Sequence, residues 1–285
     1  MRTLLQVTAY PLLLLGTIAS AYLAIQRGYD PGKVLLVENV LAAFYVALVE
    51  RLIPYRREWL HSRGDLRADV IHLFASNGAF GLGRTLLELT KPIAIWPTHW
   101  PVLAQLPLAI LLAELGGYAF HRLEHRENWF WRLHAVHHSA PRLYWLNANR
   151  NHPLDSFFTA LFSLSLIIIP GAPPEVIALT LSAIGAHALF QHADADVRLG
   201  PLNYLFSMCE VHRWHHSRKL EEANGNYGQM LLVWDVVFGT RIFPPGEPPV
   251  DTGLHALPWF PITSWFGQIL APFSPRWYPS AGETT

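Results

Sequence analysis

Cysteine is nearly missing from this chain, which holds a single one, Cys209, among 285 residues. A lone thiol excludes an internal disulfide framework and any zinc or iron–sulfur site built on several thiolates. Charge is scarce as well. Asp, Glu, Lys and Arg make up 15% of the chain, against about 25% in an ordinary soluble domain. The 21 basic and 21 acidic residues balance, so nucleic acid and other strongly charged partners are not expected. No internal repeat, low-complexity tract or long linker interrupts the sequence. A single domain over residues 1–285 is the simplest organisation for this length.

Apolar residues take the place of charge. They form 51% of the chain, with eleven Trp, ten Tyr and fifteen Phe, a composition that points to a membrane protein. Residues 3–25 carry no charge and exceed the ~20 needed to cross a bilayer. Ala19, Ser20 and Ala21 have the look of a signal-peptidase site, but the apolar run continues past them and further spans follow. Residues 34–53 form a second span with Glu38 and Asn39 as polar flaws, and the two make a hairpin around the polar turn 27–33. Arg51, Arg56, Arg57, Arg63 and Arg67 come next, and the positive-inside rule puts them, and with them the N-terminus, in the cytoplasm.

Residues 70–90 are apolar but interrupted by Gly78, Gly81, Gly83 and Arg84, which reads as a broken span or an interfacial helix. Prolines and tryptophans in 92–101 mark an interfacial connector. Residues 102–120 form a long apolar helix that contains Glu114 and runs directly into His121. Two more apolar helices, 154–169 and 174–190, are joined by a Pro-Gly-Ala-Pro turn at 170–173. The chain thus divides into N-terminal membrane helices (1–104), a region that carries the chemistry (105–243), and a proline- and tryptophan-rich tail (244–285) expected to lie as irregular structure on the membrane face. The fold class expected is all-α, with about 4–5 spans by length.

Histidine is the residue that organises the second half. His121 and His125 are four apart, so they share one helix face. His134, His137 and His138 stand at i, i+3 and i+4, and His212, His215 and His216 repeat that spacing. Imidazole is the commonest protein metal ligand, and with cysteine absent only imidazole and carboxylate remain. The clusters read as one polynuclear metal site built from several helices. Ligation also removes the cost of burying unpaired imidazoles near a membrane. His61, His72, His99 and His255 stand alone and read as structural. Residues 121–125 also fit the HxxEH pattern of a zinc peptidase, with Glu124 as general base, and a membrane metal transporter or sensor would share the spans and the histidines.

The motifs HRLEH (121–125), HAVHHS (134–139), NHPLD (151–155), QHAD (191–194), HRWHHS (212–217), NYG (226–228) and WDVVFGT (234–240) follow one another in that order. Together they resemble the fatty acid hydroxylase, or sterol desaturase, superfamily of membrane di-iron oxygenases, over roughly residues 105–243. The resemblance implies a helical bundle with a cytosolic helical cap, a di-metal site on the cytoplasmic side with two iron ions, and O2-dependent hydroxylation (or desaturation) of a lipid C–H bond such as that of a fatty acyl chain or sterol. It implies as ligands His121, His125, His134, His137, His138, His192, His212, His215 and His216, with His187 as a tenth. His152 is implied to be a loop feature. The chain departs from the family at Asp155, where Glu is usual, and at Asp194, where Asn is usual; Asp194 either tunes a ligating imidazole or is a harmless isostere. Two electrons must come from outside, from a ferredoxin or a cytochrome b-type donor, and Arg122, Arg126, Arg132, Arg142 and Arg150 offer either a basic face for docking it or contacts to lipid headgroups. Trp129, Trp131, Tyr144, Trp145 and Trp214 are candidates for a lipid slot or an interface belt.

Overall fold

The computed structural model describes residues 2–255, 257 and 259–274; residues 275–285 of the expected tail lie outside it. The fold is all-helical, and among the described residues there are only three isolated β-bridges and no strand. Six long helices run end to end: α1 (Arg2–Gln26), α2 (Pro31–Leu52), α3 (Leu66–Glu88), α4 (Val102–Glu124), α6 (Pro153–Ile168) and α7 (Pro174–Gln191). Between α4 and α6 lies α5 (Asn128–His138), and after α7 come the short helices α8 (Cys209–His215), α9 (Leu220–Ala223), α10 (Val233–Val237) and α11 (Trp265–Leu270).

Three of the six are long and apolar enough to cross a membrane: α1, α2 and α4. At 1.5 Å per residue they reach about 33–37 Å, more than the ~30 Å of a bilayer's hydrocarbon core. The 16 residues of α6 give only about 24 Å. Helix α7 is buried on every side, from Val176 through Gln191, as expected of a helix at the centre of a bundle. It packs on α1, α2 and α4, while α6 packs between α3 and α4. Residues 70–90 are not broken: α3 is one continuous helix. A Cβ at Gly78 or Gly81 would meet nothing, whereas one at Gly83 would come 2.8 Å from the Phe157 carbonyl oxygen. Gly83 therefore serves the close approach of α3 to α6, the use that membrane helices make of small residues.

Local chemistry sets the helix starts. Asp30 caps α2 by accepting the Lys33 N–H at 2.9 Å, with Pro31 at the first helical position. His152 caps α6 through Nδ1, which accepts the Leu154 N–H at 3.1 Å, and its Nε2 reaches the Ile269 carbonyl. Both ring nitrogens of His152 are thus used in structure.

Chain direction gathers the functional segments at one end. Arg2, at the start of α1, pairs with Asp196 at 2.8 Å, and the Tyr55 N–H, just past α2, donates to the Asp194 carbonyl. The start of α3, the ends of α4 and α7 and the start of α6 lie at that same end, beneath a cap of α5, α8 and α9, while α10 lies along α4, where Trp234 Nε1 donates to the Leu111 carbonyl at 3.1 Å. The tail between Thr252 and Ser274 folds back over this cap: Leu254, Phe260 and Ala271 pack on Ala135 and Val136 of α5. Gln268 is fully buried and its Oε1 meets His72 Nε2 at 2.7 Å, which gives His72 a structural partner.

Candidate metal centre

Nine histidines meet in two adjoining groups. One group is His121, His125, His134, His138 and His215; the other is His137, His192, His212 and His216; within each, one ring nitrogen per residue lies within 4.8 Å of all the others. The spacing explains the division. His134 and His138 are one turn apart on α5 and enter the first group, while His137, about 100° round the helix from His138 and on the other side of His134, enters the second. Helix α8 does the reverse: His212 and the residue just past its end, His216, go to the second group and His215 to the first. Helix α4 supplies a pair to the first group, and the residue capping α7, His192, joins the second. The groups touch, with the rings of His138 and His216 stacked 4.5 Å apart.

The hydrogen bonds behind the rings decide which nitrogen carries a lone pair. His121 Nδ1 lies 2.8 Å from the Tyr227 carbonyl and His215 Nδ1 lies 2.7 Å from the Gly225 carbonyl. A carbonyl only accepts, so each Nδ1 carries the proton and each Nε2 is left with its lone pair. His134 Nδ1 meets Asp155 Oδ2 at 3.0 Å and Glu124 Oε2 at 3.4 Å. The Nε2 atoms of all five histidines in the first group are buried without a hydrogen-bond partner. In the second group His212 Nε2 lies 3.0 Å from both His192 Nε2 and His216 Nε2. One N–H on His212 can serve only one of these neighbours. Such convergence of unpaired lone pairs is costly in a buried site and is what a bound cation relieves, so the residues fit a pair of metal ions. Burial, and after it the neighbouring imidazoles, holds His137, His138, His212, His215 and His216 well below the ordinary histidine pKa. They stay neutral, the form that binds metal.

The motifs without histidine build the scaffold behind the rings. Asn226 adopts a left-handed backbone (φ 56°), which Asn tolerates better than most residues. Its side chain donates to the Ile242 carbonyl at 2.6 Å and accepts the Ile242 N–H at 2.8 Å. The Asp235 carboxylate accepts the N–H groups of Tyr227 and Gly228, both at 2.8 Å. The WDVVFGT segment thereby pins NYG, and NYG with its neighbour Gly225 presents the carbonyls that orient His121 and His215.

Several sequence expectations change. His187 is not brought to either group: its Nδ1 bonds the Tyr10 hydroxyl at 2.8 Å and its Nε2 the Ser207 carbonyl at 3.0 Å. Asp194 bonds no imidazole. Its carboxylate accepts the Arg56 N–H at 2.8 Å, and the residue behind His192 is Asn147, whose Oδ1 lies 3.0 Å from His192 Nδ1. Burial raises the Asp194 pKa to about 7. Arg142 and Arg150 cannot form a docking face, because both are buried, paired with Asp65 at 2.7 Å and Asp69 at 2.6 Å. Tyr144 is buried beside them and donates to Asp69. Glu124 sits behind His134, its Oε2 3.4 Å from His134 Nδ1, and with Asp155 makes a third group of close donors. Asn147 and the two carbonyls carry no signal at ligand spacing; only Tyr227 and Gly225, in and beside the NYG motif, were marked by a motif at all.

Comparison with known proteins agrees with this centre. The fatty acid hydroxylase family model matches residues 106–240. An ornithine lipid hydroxylase of Rhizobium tropici, OlsE, is 33% identical over 93% of this chain and 83% of its own length. The chain belongs to the fatty acid hydroxylase family. More distant family members include the human alkylglycerol monooxygenase, 30% identical over 67% of this chain, and the rat methylsterol monooxygenase 1, 26% identical over 51%. The chain spans 44% and 49% of the length of those two relatives. No solved structure matches it. The relatives are lipid hydroxylases and monooxygenases, and the chain is accordingly an oxidoreductase of that class, built for a lipid substrate in a membrane.

Proposed function

We propose that this protein is an integral membrane hydroxylase in which His121, His125, His134, His138 and His215 hold one iron ion and His137, His192, His212 and His216 a second. The observation that carries the reading is the fit of the two groups: nine imidazoles whose ring nitrogens converge, with all five Nε2 atoms of the first group left without a partner, at the ends of apolar helices. Two irons so held would supply the activation of dioxygen that oxidising an unactivated C–H bond requires. The substrate proposed is an ornithine lipid, because the relative that matches nearly the whole chain acts on one, whereas the alkylglycerol and sterol enzymes match over about half of their own length.

The chain's own residues bind, orient and exclude water. Phe120, which precedes His121, stacks on Phe162 with ring centroids 4.8 Å apart and meets Phe130 edge-on at 5.5 Å. Phe158 joins them where α4, α5 and α6 meet. This apolar junction adjoins Glu124, His134 and Asp155 and offers a route by which an acyl chain comes up from the bilayer. Trp131 closes the side of the centre, its ring 5.1 Å from that of His125 and 5.4 Å from that of His138. His125 is the least buried of the nine, and Arg122 and Arg126 flank it on the surface. That basic edge is the place proposed for an external ferredoxin or cytochrome b-type donor to deliver its two electrons, on the cytoplasmic side.

Two measurements test the reading. Protein purified anaerobically in detergent is expected to contain two irons per chain in a nitrogen-rich shell. Cells that carry the gene are expected to accumulate an ornithine lipid heavier by one oxygen atom, and cells with His138→Ala are not. A single zinc with an open water position, or metal without fixed stoichiometry, would overturn the oxygenase in favour of a hydrolase or a transporter. Oxygen found only on another lipid class would overturn the substrate alone.

A further inference from the structure

The two histidine groups are not equally prepared to hold metal. Resting on the di-metal reading above, we propose that they fill in order: the His121, His125, His134, His138 and His215 group first and tightly, the His137, His192, His212 and His216 group second and more weakly. Asn147 is the positioning residue that decides whether the second position is held.

The first group has five donors, and four of them have a partner behind the ring, His125 the longest, with Asn224 Oδ1 3.4 Å from its Nδ1. His121 and His215 donate to main-chain carbonyls at 2.8 and 2.7 Å, and His134 faces the Asp155 carboxylate at 3.0 Å. A carboxylate behind a ligating imidazole makes it a better donor and places negative charge close to the cation. The second group has four donors, and among the described residues no carboxylate bonds any of its rings. The Nδ1 atoms of His137, His212 and His216 have no partner. Only His192 is fixed from behind, by Asn147.

The bond from Asn147 is decisive because of the alternative it prevents. The Asn147 amide cannot flip: its Nδ2 donates to the Arg142 carbonyl at 2.6 Å and its Oδ1 accepts the Tyr144 N–H at 3.2 Å. Its Oδ1 therefore faces His192, and His192 must keep its proton on Nδ1. With that acceptor removed, the proton can move to Nε2 and be donated to His212 Nε2, 3.0 Å away. His212 would accept that bond with the single lone pair of its Nε2, so neither of the two facing nitrogens would be left for metal. The His192–His212 pair would then satisfy itself, an arrangement that competes with metal.

The test is a titration of metal-free, full-length protein in detergent with ferrous iron enriched in the Mössbauer-active isotope. One spectral component is expected to saturate at one equivalent and a second to grow only afterwards. Asn147→Ala should leave the first unchanged and raise the concentration needed for the second by about 10–100-fold, the usual cost of losing a partner behind a metal ligand. Asn147→Asp should restore it. Both variants lose the bond to the Arg142 carbonyl, but Asp keeps an acceptor facing His192. Equal damage by Ala and Asp would reduce Asn147 to a structural role and overturn its part. Two components that grow together in the unaltered protein would overturn the order of filling, and that measurement needs no variant. Failure to take up two irons at saturation would overturn the di-metal reading itself.

Discussion

At the scale of single residues, buried ion pairs fix the cap to the bundle. Arg142 and Asp65 are 2% and 0% exposed and meet through Nε–Oδ2 at 2.7 Å and Nη2–Oδ1 at 3.0 Å. Burial works against the charge on Asp65, but the bonds from Arg142 outweigh it and hold the carboxyl below its ordinary range. Removing one partner strands a buried charge, so Asp65→Ala is expected to cost about 3–5 kcal/mol, read as a drop in the denaturation midpoint. The pH dependence has a definite sign. A depressed carboxyl contributes its stability above the unfolded-state pKa and loses it as acid approaches the folded value, so Asp65→Asn and the parent should converge in acid unfolding. Cys209 gives a second prediction. It is fully buried and burial pushes its thiol up to about 12, so it should resist alkylation in the folded protein and react only after unfolding, as mass spectrometry of the intact chain would show.

At the scale of elements, the helices were legible because their signals are local. Apolar length marked α1, α2 and α4, and the i, i+3, i+4 spacing showed that His134, His137 and His138 share a helix face. The division of that face between two groups was not legible, since it depends on how α5 and α8 approach each other. The reading of α3 as broken failed for a similar reason: glycine reads as a breaker in sequence, but Gly83 is where α3 meets the backbone of α6. His187 fell outside the centre because it lies one turn and more before His192 and faces α1, where Tyr10 claims it. Gly116 makes the sharpest test at this scale. A Cβ there would collide with the Phe162 carbonyl of α6, backbone that cannot turn aside. Gly116→Ala should cost about 1–3 kcal/mol or more and, by shifting α4 and the His121 and His125 it carries, lower metal occupancy. A substitution at Gly81, which meets nothing, should leave both unchanged.

At the scale of the whole molecule, the arrangement of ends decides which compartment the chemistry faces. The N-terminus, the arginines from Arg51 to Arg67 and the histidine centre all lie at one end of the bundle; the loops at 27–30, 89–101 and 169–173 lie at the other. Ile93 and Trp96 donate to the carbonyls of Ile169 and Pro170, which ties the last two of these loops together. By the positive-inside rule the clustered arginines favour the cytoplasm for this end. A fluorescent protein that matures only in the cytoplasm should therefore be bright when fused before Arg2. Alkaline phosphatase, active only after export, should work when inserted at Gly28, between α1 and α2. The opposite pair of results would turn the molecule over. Since the ends are fixed relative to one another by the Arg2–Asp196 and Tyr55–Asp194 contacts, it would carry the metal centre and the site proposed for the electron donor to the other face with it.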